Sequence, residues 1–305
     1  MANESNDPTL EVRDIAKQYG NFLAVDDLSL EVSGGTIFGL LGPNGAGKTT
    51  TIRMIMDIIA PDRGEVRFFG RPRTGDDLKR VGYLPEERGL YRKMKVTEHL
   101  VFLGELHGLS KRDATPRIKE WLERVELSNW ADKKVEELSK GMQQKIQLIG
   151  TLLHDPEIVI LDEPFSGLDP INQSLFKELL ASYKSEGRTI LFSTHVMEQA
   201  EKLCDQIALI SKGKVVLDGE LAKIKRDYGE NSFRVTGSGN LGRLADLPEV
   251  EHSHIEDGEA RLFLKPEARG ADVLKKAVTF ATIDEFTSDE PELGEIFIKA
   301  VHDAA

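Results

Sequence analysis

Apolar residues recur along this chain at two spacings, every second position in some stretches and every third or fourth in others. Residues from Leu10 to Val32 alternate between apolar and polar, which predicts a β-hairpin-rich entry. A strand, Thr36–Leu41, then leads through a glycine-rich turn into a helix, Thr49–Ile59. From Thr97 to about Leu153 the spacing is mostly helical, and the fully apolar Ile158–Leu161 is typical of a strand buried in a parallel sheet.

The alternation of strands and helices continues to about residue 210. Its further segments are the strand Glu65–Phe69, the helix Gln173–Tyr183, the strand Thr189–Ser193, the helix Met197–Leu203 and the strand Gln206–Ile210. Such an order predicts an α/β domain in which helices cover a parallel sheet.

The pattern changes after about Lys225, and we predict two domains, residues 8–224 and residues 225–305. The C-terminal segments are Ser232–Thr236, Leu241–Leu247, Val250–Ile255, Ala260–Leu264, Ala271–Thr279, Ala281–Phe286 and Pro291–Val301. Their order, βαββαβ before a last helix, predicts a small ferredoxin-like α+β domain. The last helix carries an apolar stripe that must be buried, either against its own sheet or against a second copy.

Composition and charge narrow the function classes. The 305 residues carry a net charge of −12, which argues against a general nucleic-acid binder but not against nucleotide binding by a local backbone nest. Cys204 is the only cysteine, so we expect no intramolecular disulfide and a reducing compartment. No apolar run approaches the ~20 residues of a membrane span, so another chain must cross the bilayer if this protein works there.

A phosphate-binding loop joins the strand Thr36–Leu41 to the helix after it. The segment Gly42-Pro-Asn-Gly-Ala-Gly-Lys-Thr-Thr50 matches G-x-x-x-x-G-K-[ST]. Its backbone N–H groups converge on phosphate oxygens, and the helix N-terminus faces the same charge. We expect Lys48 to reach the β- and γ-phosphates of ATP and Thr49 to hold Mg²⁺. The nucleotide-binding residues predicted here are Gly42, Asn44, Gly45, Ala46, Gly47, Lys48, Thr49 and Thr50.

Two carboxylates follow the buried strand Ile158–Leu161. Asp162 is predicted to lie at the carboxyl edge of the sheet, where it can hold Mg²⁺. Glu163, directly after it, is predicted to polarise the attacking water as a general base. Such a short pattern is also common where a strand ends in a solvated acidic turn. We prefer the catalytic interpretation because the chain also contains a phosphate-binding loop.

Further motifs identify a family among phosphate-loop proteins. Leu138-Ser-Lys-Gly-Met-Gln-Gln-Lys145 resembles the ABC signature, Ser166-Gly-Leu-Asp169 resembles the D-loop, and His195 follows a strand in the place of the switch histidine. Tyr19 before Gly20 resembles the aromatic residue that stacks on adenine. With the phosphate-binding loop and the acidic strand, these motifs stand in the order found in ABC ATPases.

The resemblance implies the ABC fold, a parallel-sheet core with antiparallel-β and helical subdomains, and a catalytic role for His195. It also implies a head-to-tail dimer with a second copy or a paralogous subunit. In such a dimer, Ser139 and Gly141 of one chain close over ATP held by the other, and Asp169 belongs to the same nucleotide interface.

The sequence departs from the common family pattern in two motifs. Lys140 and Met142 replace the usual glycine and glutamine of the signature, whereas Gly141 is kept. Glu86 stands where the Q-loop has glutamine, and we expect it to offer an oxygen to Mg²⁺ while adding negative charge. Similar features occur in drug- and sodium-exporter-like ABC ATPases, which this chain also resembles in its C-terminal domain.

Two functions remain open from the sequence. The first is the ATPase subunit of an exporter, at the inner face of the cell membrane and joined to a separate permease. The second is an ABC ATPase acting on ribosomes or nucleic acid, which the single phosphate-binding loop and the absence of room for a coiled-coil insertion disfavour. Beyond residue 225 we predict no metal set and a regulatory or dimer-supporting role, because His252 and His254 have no third ligand nearby in the sequence.

Overall fold

The computed structural model of the chain describes residues 8–87, 89–229, 231–288 and 291–303. Contacts divide the chain into two compact units, Met1–Asp218 and Gly219–Ala305. The division falls close to the change of pattern seen in the sequence near residue 225.

The first unit contains two sheets. Its strands are β1 (Leu10–Tyr19), β2 (Phe22–Val32), β3 (Ile37–Leu41), β4 (Arg63–Phe68), β5 (Arg71–Pro72), β6 (Val81–Leu84), β7 (Ile158–Asp162), β8 (Thr189–Thr194), β9 (Gln206–Ser211) and β10 (Lys214–Glu220). The antiparallel sheet has the order β2-β1-β4-β5, and the six-stranded sheet has the order β10-β9-β3-β8-β7-β6. Strands β9, β3, β8, β7 and β6 run parallel, which confirms the predicted parallel core.

Besides three short 3-10 helices, this unit has six α-helices among its described residues. They are α1 (Lys48–Ile55), α2 (Val96–Leu106), α3 (Lys111–Arg124), α4 (Lys140–Leu152), α5 (Pro170–Ser185) and α6 (Met197–Leu203). Helix α1 ends before the predicted Ile59, because Asp57 adopts a left-handed φ of 57° that a right-handed helix cannot continue. The mostly helical stretch predicted from Thr97 to about Leu153 contains the helices α2, α3 and α4.

Strand β7 separates two hydrophobic clusters. Ile158 and Ile160 pack with the antiparallel sheet and α1, whereas Val159 and Leu161 pack with helices α2 to α5. Successive side chains of a strand point to opposite faces, so a strand covered on both faces must be apolar throughout. The sheet therefore forms a rigid middle layer whose carboxyl edge carries the polar residues that follow β3, β7 and β8.

The second unit is a four-stranded antiparallel sheet with helices. Its elements are α7 (Leu221–Gly229), β11 (Ser232–Gly239), β12 (Val250–Glu256), β13 (Glu259–Leu264), α8 (Gly270–Ala277), β14 (Ala281–Ser288) and α9 (Leu293–Asp303), with a 3-10 helix at Leu241–Asp246. The order β12-β13-β11-β14 is that of a ferredoxin-like sheet, in which the first connecting helix is here a 3-10 helix. Leu293 and Ile296 of α9 are fully buried within a single chain, whereas Phe297 and Val301 of the same apolar stripe are only partly buried.

Candidate active site

The loop from Gly42 to Gly47 makes a tight turn between β3 and α1. Two of its glycines occupy positions at which a side chain does not fit. Gly42 has a φ of 152°, and a Cβ there would lie 2.2 Å from the carbonyl oxygen of Ile210. Gly47 has a φ of 111°, and its Cβ would lie 2.6 Å from the carbonyl oxygen of Ala24. Both positions combine a backbone conformation that L side chains rarely adopt with no free space.

Lys48 is buried at the start of α1 with its ammonium group held by oxygen atoms. Nζ donates to the carbonyl oxygens of Gly42 at 2.7 Å and Pro43 at 3.2 Å, and lies 3.4 Å from Oε1 of Glu163. A buried ammonium group requires such compensation. The ion pair brings Glu163, which follows β7, to the phosphate-binding loop, which follows β3.

Strand β8 lies between β3 and β7 and supplies a serine that links the two carboxylates. Ser193 Oγ donates to Asp162 Oδ1 at 2.6 Å and accepts from the backbone N–H of Glu163 at 2.9 Å. Thr49 Oγ1 also donates to Asp162 Oδ1, at 3.2 Å. Sequence motifs do not reveal Ser193, because a serine at the end of an apolar strand carries no signal of its own.

His195 lies beside the second carboxylate. Its Nδ1 is 3.1 Å from both carboxylate oxygens of Glu163, and its side chain is 45% exposed, against 10% for Glu163. Glu163 itself has a φ of 49°, which is uncommon for a residue with a side chain and is typical of functional positions. Two basic groups therefore orient this carboxylate at the edge of the sheet, one buried and one facing solvent.

A pocket of about 390 Å³ opens over these groups. It is lined by Phe22, Ala24, Asn44, Gly45, Gly47, Lys48, Thr49, Thr50, Glu86 and Glu163. The predicted residues Gly42 and Ala46 do not line it, and they hold the loop through backbone bonds to Thr194 and Gly213 instead. Most of the residues predicted from the loop thus share one cavity with Glu86 and Glu163.

An aromatic side chain of the pocket comes from an unpredicted position. Phe22 lines the pocket and is 61% exposed, whereas the predicted Tyr19 lies outside the lining, with Lys17 Nζ 5.9 Å from the centre of its ring. Tyr19 and Phe22 are partners across the β1–β2 hairpin. An exposed aromatic ring at the mouth of a polar pocket suits stacking on a base, and no sequence motif singles out Phe22.

The residues present fit a magnesium ion. Asp162 Oδ2 is buried and has no hydrogen-bonding partner among the described residues. Next to it, Thr49 supplies a hydroxyl group, and Glu86 adds a carboxylate to the lining of the pocket. Mg²⁺ prefers carboxylate and hydroxyl oxygens and retains several waters, so a partly open site with one orphaned carboxylate oxygen suits it. The same negative charge at Asp162, with burial as the larger cause, raises the pKa of Tyr83 to about 12.

The signature residues form a second polar surface in the same unit. Ser139 caps α4 by accepting from the backbone N–H of Met142 at 3.3 Å. A Cβ at Gly141 would lie 3.0 Å from Nδ2 of Asn172, which itself donates to Asp169 at 2.6 Å. Hydrogen bonds from Asn172 also hold the pKa of the exposed Asp169 below its usual value. Ser139, Gly141 and Asp169 are therefore neighbours, while none of them lines the pocket above Lys48.

The second unit contains a side-chain cluster that the sequence analysis does not include. His302 and Asp303 lie beside His252, so three potential metal ligands do meet beyond residue 225. The sequence does not reveal this cluster, because His252 and His302 are far apart along the chain and only the fold brings α9 next to β12. His254, at the other end of the apparent pair, contacts Glu256 instead.

Comparison with known proteins agrees with this geometry. The ABC transporter family matches residues 25–166, and the C-terminal domain of DrrA1-3-like ATP-binding proteins matches residues 219–301. The chain is 43% identical to YhaQ of Bacillus subtilis, an uncharacterized ABC transporter ATP-binding protein, over 96% of this chain and 98% of the relative. It is 41% identical to the Nod factor export ATP-binding protein I of Burkholderia lata, over 83% and 84% of the two chains.

A solved structure supports the same assignment. The structure of an ATP-binding subunit of an ABC transporter superposes with a TM-score of 0.67 at 33% identity, over 72% of this chain and 93% of that one. No helix in the described part of the chain combines the length and the apolar character that a membrane crossing requires. The chain belongs to the ATP-binding subunits of ABC transporters, which are ATPases.

Proposed function

We propose that this subunit drives export through a separate membrane permease, as one half of a head-to-tail ATPase dimer. The observation that carries the proposal is the meeting of Lys48, Thr49, Asp162 and Glu163 within hydrogen-bonding distance at one edge of the parallel sheet. These residues come from two strand ends that are more than a hundred positions apart in the chain. Such convergence is what phosphoryl transfer requires, because its catalysis is mainly positioning and charge stabilisation.

Thr49 and Asp162 would hold Mg²⁺, with Glu86 as a further oxygen donor at the rim. The ion, when bound, neutralises charge that develops on the phosphate oxygens. Lys48 contributes a buried positive charge on the other side of the loop. The carboxylate of Glu86 adds a negative charge that a glutamine would not, so we infer that this site depends more strongly on its cation.

Glu163 is the proposed general base. It accepts a proton from the attacking water as the oxygen of that water bonds to the γ-phosphorus and the bond to the β-phosphate oxygen breaks. His195 holds the carboxylate in place and, being partly exposed, is free to contact the γ-phosphate at the same time. Ser193 is a positioning residue for both carboxylates.

The second chain of the dimer supplies the remaining contacts. Ser139 and Gly141 offer a hydroxyl group and a backbone N–H at the start of α4, which is a suitable anion site. They lie outside the pocket that contains Lys48, and this separation supports a role toward a nucleotide held by another copy. For stacking on the adenine of ATP, the chain offers two aromatic rings, those of the hairpin partners Tyr19 and Phe22. Of these two, Phe22 lines the pocket.

Relatives support the proposed direction of transport. Nod factor export ATP-binding proteins are about 40% identical to this chain over more than four fifths of its length, which supports export. With export goes the proposed location, the inner face of the cell membrane in contact with a permease. The alternative, action on ribosomes or nucleic acid, has no comparable support.

Co-purification tests this function. The tagged full-length chain is isolated from detergent-solubilised membranes, in wild-type form and as Glu163→Gln, and its partners are identified by mass spectrometry. A stoichiometric multi-span membrane protein that raises the ATPase rate supports the proposal. Recovery with ribosomes or nucleic acid, and in neither form with a membrane protein, contradicts it.

A further inference from the structure

The C-terminal unit holds a cluster of metal-binding side chains, remote in sequence from the phosphate-binding loop. One ligand atom from each of His252, His302 and Asp303 lies within 4.8 Å of the others. The rings of His252 and His302 meet edge to face with centres 5.0 Å apart, and His302 Nδ1 is 3.8 Å from Asp303 Oδ1. The cluster joins strand β12, at the edge of its sheet, to the last turn of helix α9.

His252 gives an independent indication of a ligand. Its Nε2 atom is buried and has no hydrogen-bonding partner among the described residues. Burying an imidazole nitrogen without a hydrogen-bonding partner costs free energy, because its hydration is lost and no other interaction replaces it. A metal ion bound to Nε2 would supply the missing partner.

The donor set selects the class of metal. Two imidazoles and one carboxylate suit zinc and neighbouring borderline divalent ions, whereas Mg²⁺ and Ca²⁺ prefer sites made of oxygen alone. Bonds of about 2.1 Å in a tetrahedron place ligand atoms about 3.4 Å apart, so the cluster must contract slightly. His302 and Asp303 can do this, because their side chains are 74% and 50% exposed.

The surrounding charge permits a cation. Lys299, one turn earlier on α9, is the nearby basic residue of this helix and is paired with Glu251 at 2.9 Å. Its positive charge is therefore compensated within the same surface. The fourth position of a tetrahedral ion is left to water, since three protein ligands are present.

We propose that His252, His302 and Asp303 form a zinc site that fastens the end of α9 to the edge strand β12. Zinc would tie two segments fifty residues apart in the sequence, and so restrain the fraying expected of a last helical turn. The site is separate from the ATP pocket and does not depend on the proposed export function.

Titration of the full-length chain with Zn²⁺ tests the proposal. Calorimetry without nucleotide, in excess Mg²⁺ to occupy the oxygen site near Asp162, is expected to give one Zn²⁺ per chain. The variants His252→Ala and His302→Ala should each weaken binding at least tenfold. His254→Ala is the matched control, because it removes a histidine from the same strand that lies outside the cluster.

Hydrogen exchange gives a second measurement. Zn²⁺ should slow amide exchange in the last turn of α9 in the wild type and in His254→Ala, but not in His302→Ala. His302 is highly exposed, so its substitution leaves the fold intact and the comparison meaningful. The absence of Zn²⁺ binding, or binding that His302→Ala leaves unchanged, would overturn the proposal, as would equal loss in His254→Ala.

Discussion

The hydroxyl group of Ser193 lies 2.6 Å from Oδ1 of Asp162, in register across the adjacent strands β8 and β7. The same hydroxyl accepts the backbone N–H of Glu163. One side chain therefore fixes both the proposed metal ligand and the residue that carries the proposed base. The bond from the N–H of Glu163 holds the backbone at the residue that adopts the left-handed φ of 49°.

Replacing Ser193 by alanine should damage catalysis more than nucleotide binding. Without the hydroxyl, Asp162 and the backbone of Glu163 lose a shared anchor, and supporting residues of this kind typically contribute ~10–100-fold. We expect kcat to fall by that amount while ATP affinity changes only slightly. Steady-state ATPase kinetics with Ser174→Ala, an exposed serine of α5, as control would check this; an unaltered kcat in Ser193→Ala would refute it.

The variant Glu163→Gln should retain ATP and stop hydrolysing it. The amide keeps the size of the side chain but cannot accept the proton of the attacking water, and loss of a general base costs ~10²–10⁴-fold. Light scattering with ATP should detect a trapped dimer. Lys48→Ala provides the contrast, since it removes a phosphate-binding charge and should weaken ATP binding itself. Wild-type turnover in Glu163→Gln would show that another group is the base.

The charge of Glu86 should appear in the magnesium dependence of the ATPase rate. Glu86→Gln preserves one oxygen and the size of the side chain, but removes a negative charge from the pocket. We expect the Mg²⁺ concentration for half-maximal activity to change severalfold. Glu87→Gln is the matched control, because the carboxylate of Glu87 is next to Glu86 in the sequence but does not line the pocket. The same shift in both variants, or in neither, would leave Glu86 without a role toward the ion.

Buried histidine should make the ATP-binding unit less stable in mild acid. Burial lowers the pKa of His99 to about 4, from 6.5 in the unfolded chain. Between these values the unfolded state binds the proton and the folded state does not, so stability falls as pH decreases from about 6.5 toward about 4. From pH 7 to pH 5 the loss should be about 2 kcal/mol for this residue.

The substitution His99→Leu isolates this effect. His99 is fully buried, and neither ring nitrogen has a hydrogen-bonding partner within the described ranges, so an apolar side chain of similar size suits the site. Urea unfolding followed by the fluorescence of Trp121 and Trp130, the two tryptophans of the chain, should show a smaller difference between pH 7 and pH 5. An equal pH difference in wild type and variant would assign the acid sensitivity elsewhere.

The sequence predicted the site where a local pattern carries the chemistry. Lys48 and Thr49 follow from the glycine spacing of their loop, and Asp162 follows from an apolar strand that ends in a carboxylate. Ser193 was not predictable, because its importance depends on which strand lies between β3 and β7. The meeting of His252 and His302 was hidden for the same reason, since only the return of α9 to the sheet brings them together.

Asn172 lies beside Gly141, and the two residues belong to parts of the molecule that serve different nucleotides in the proposed dimer. Gly141 would face ATP held by the opposite chain, whereas Asn172 and Asp169 follow closely on Glu163, the proposed base for the chain's own ATP. A Cβ at Gly141 would lie 3.0 Å from Nδ2 of Asn172, so a larger residue there would press against the segment that follows Glu163. One substitution at position 141 would therefore disturb, at the same time, the surface proposed to face the opposite nucleotide and the segment that follows the proposed base.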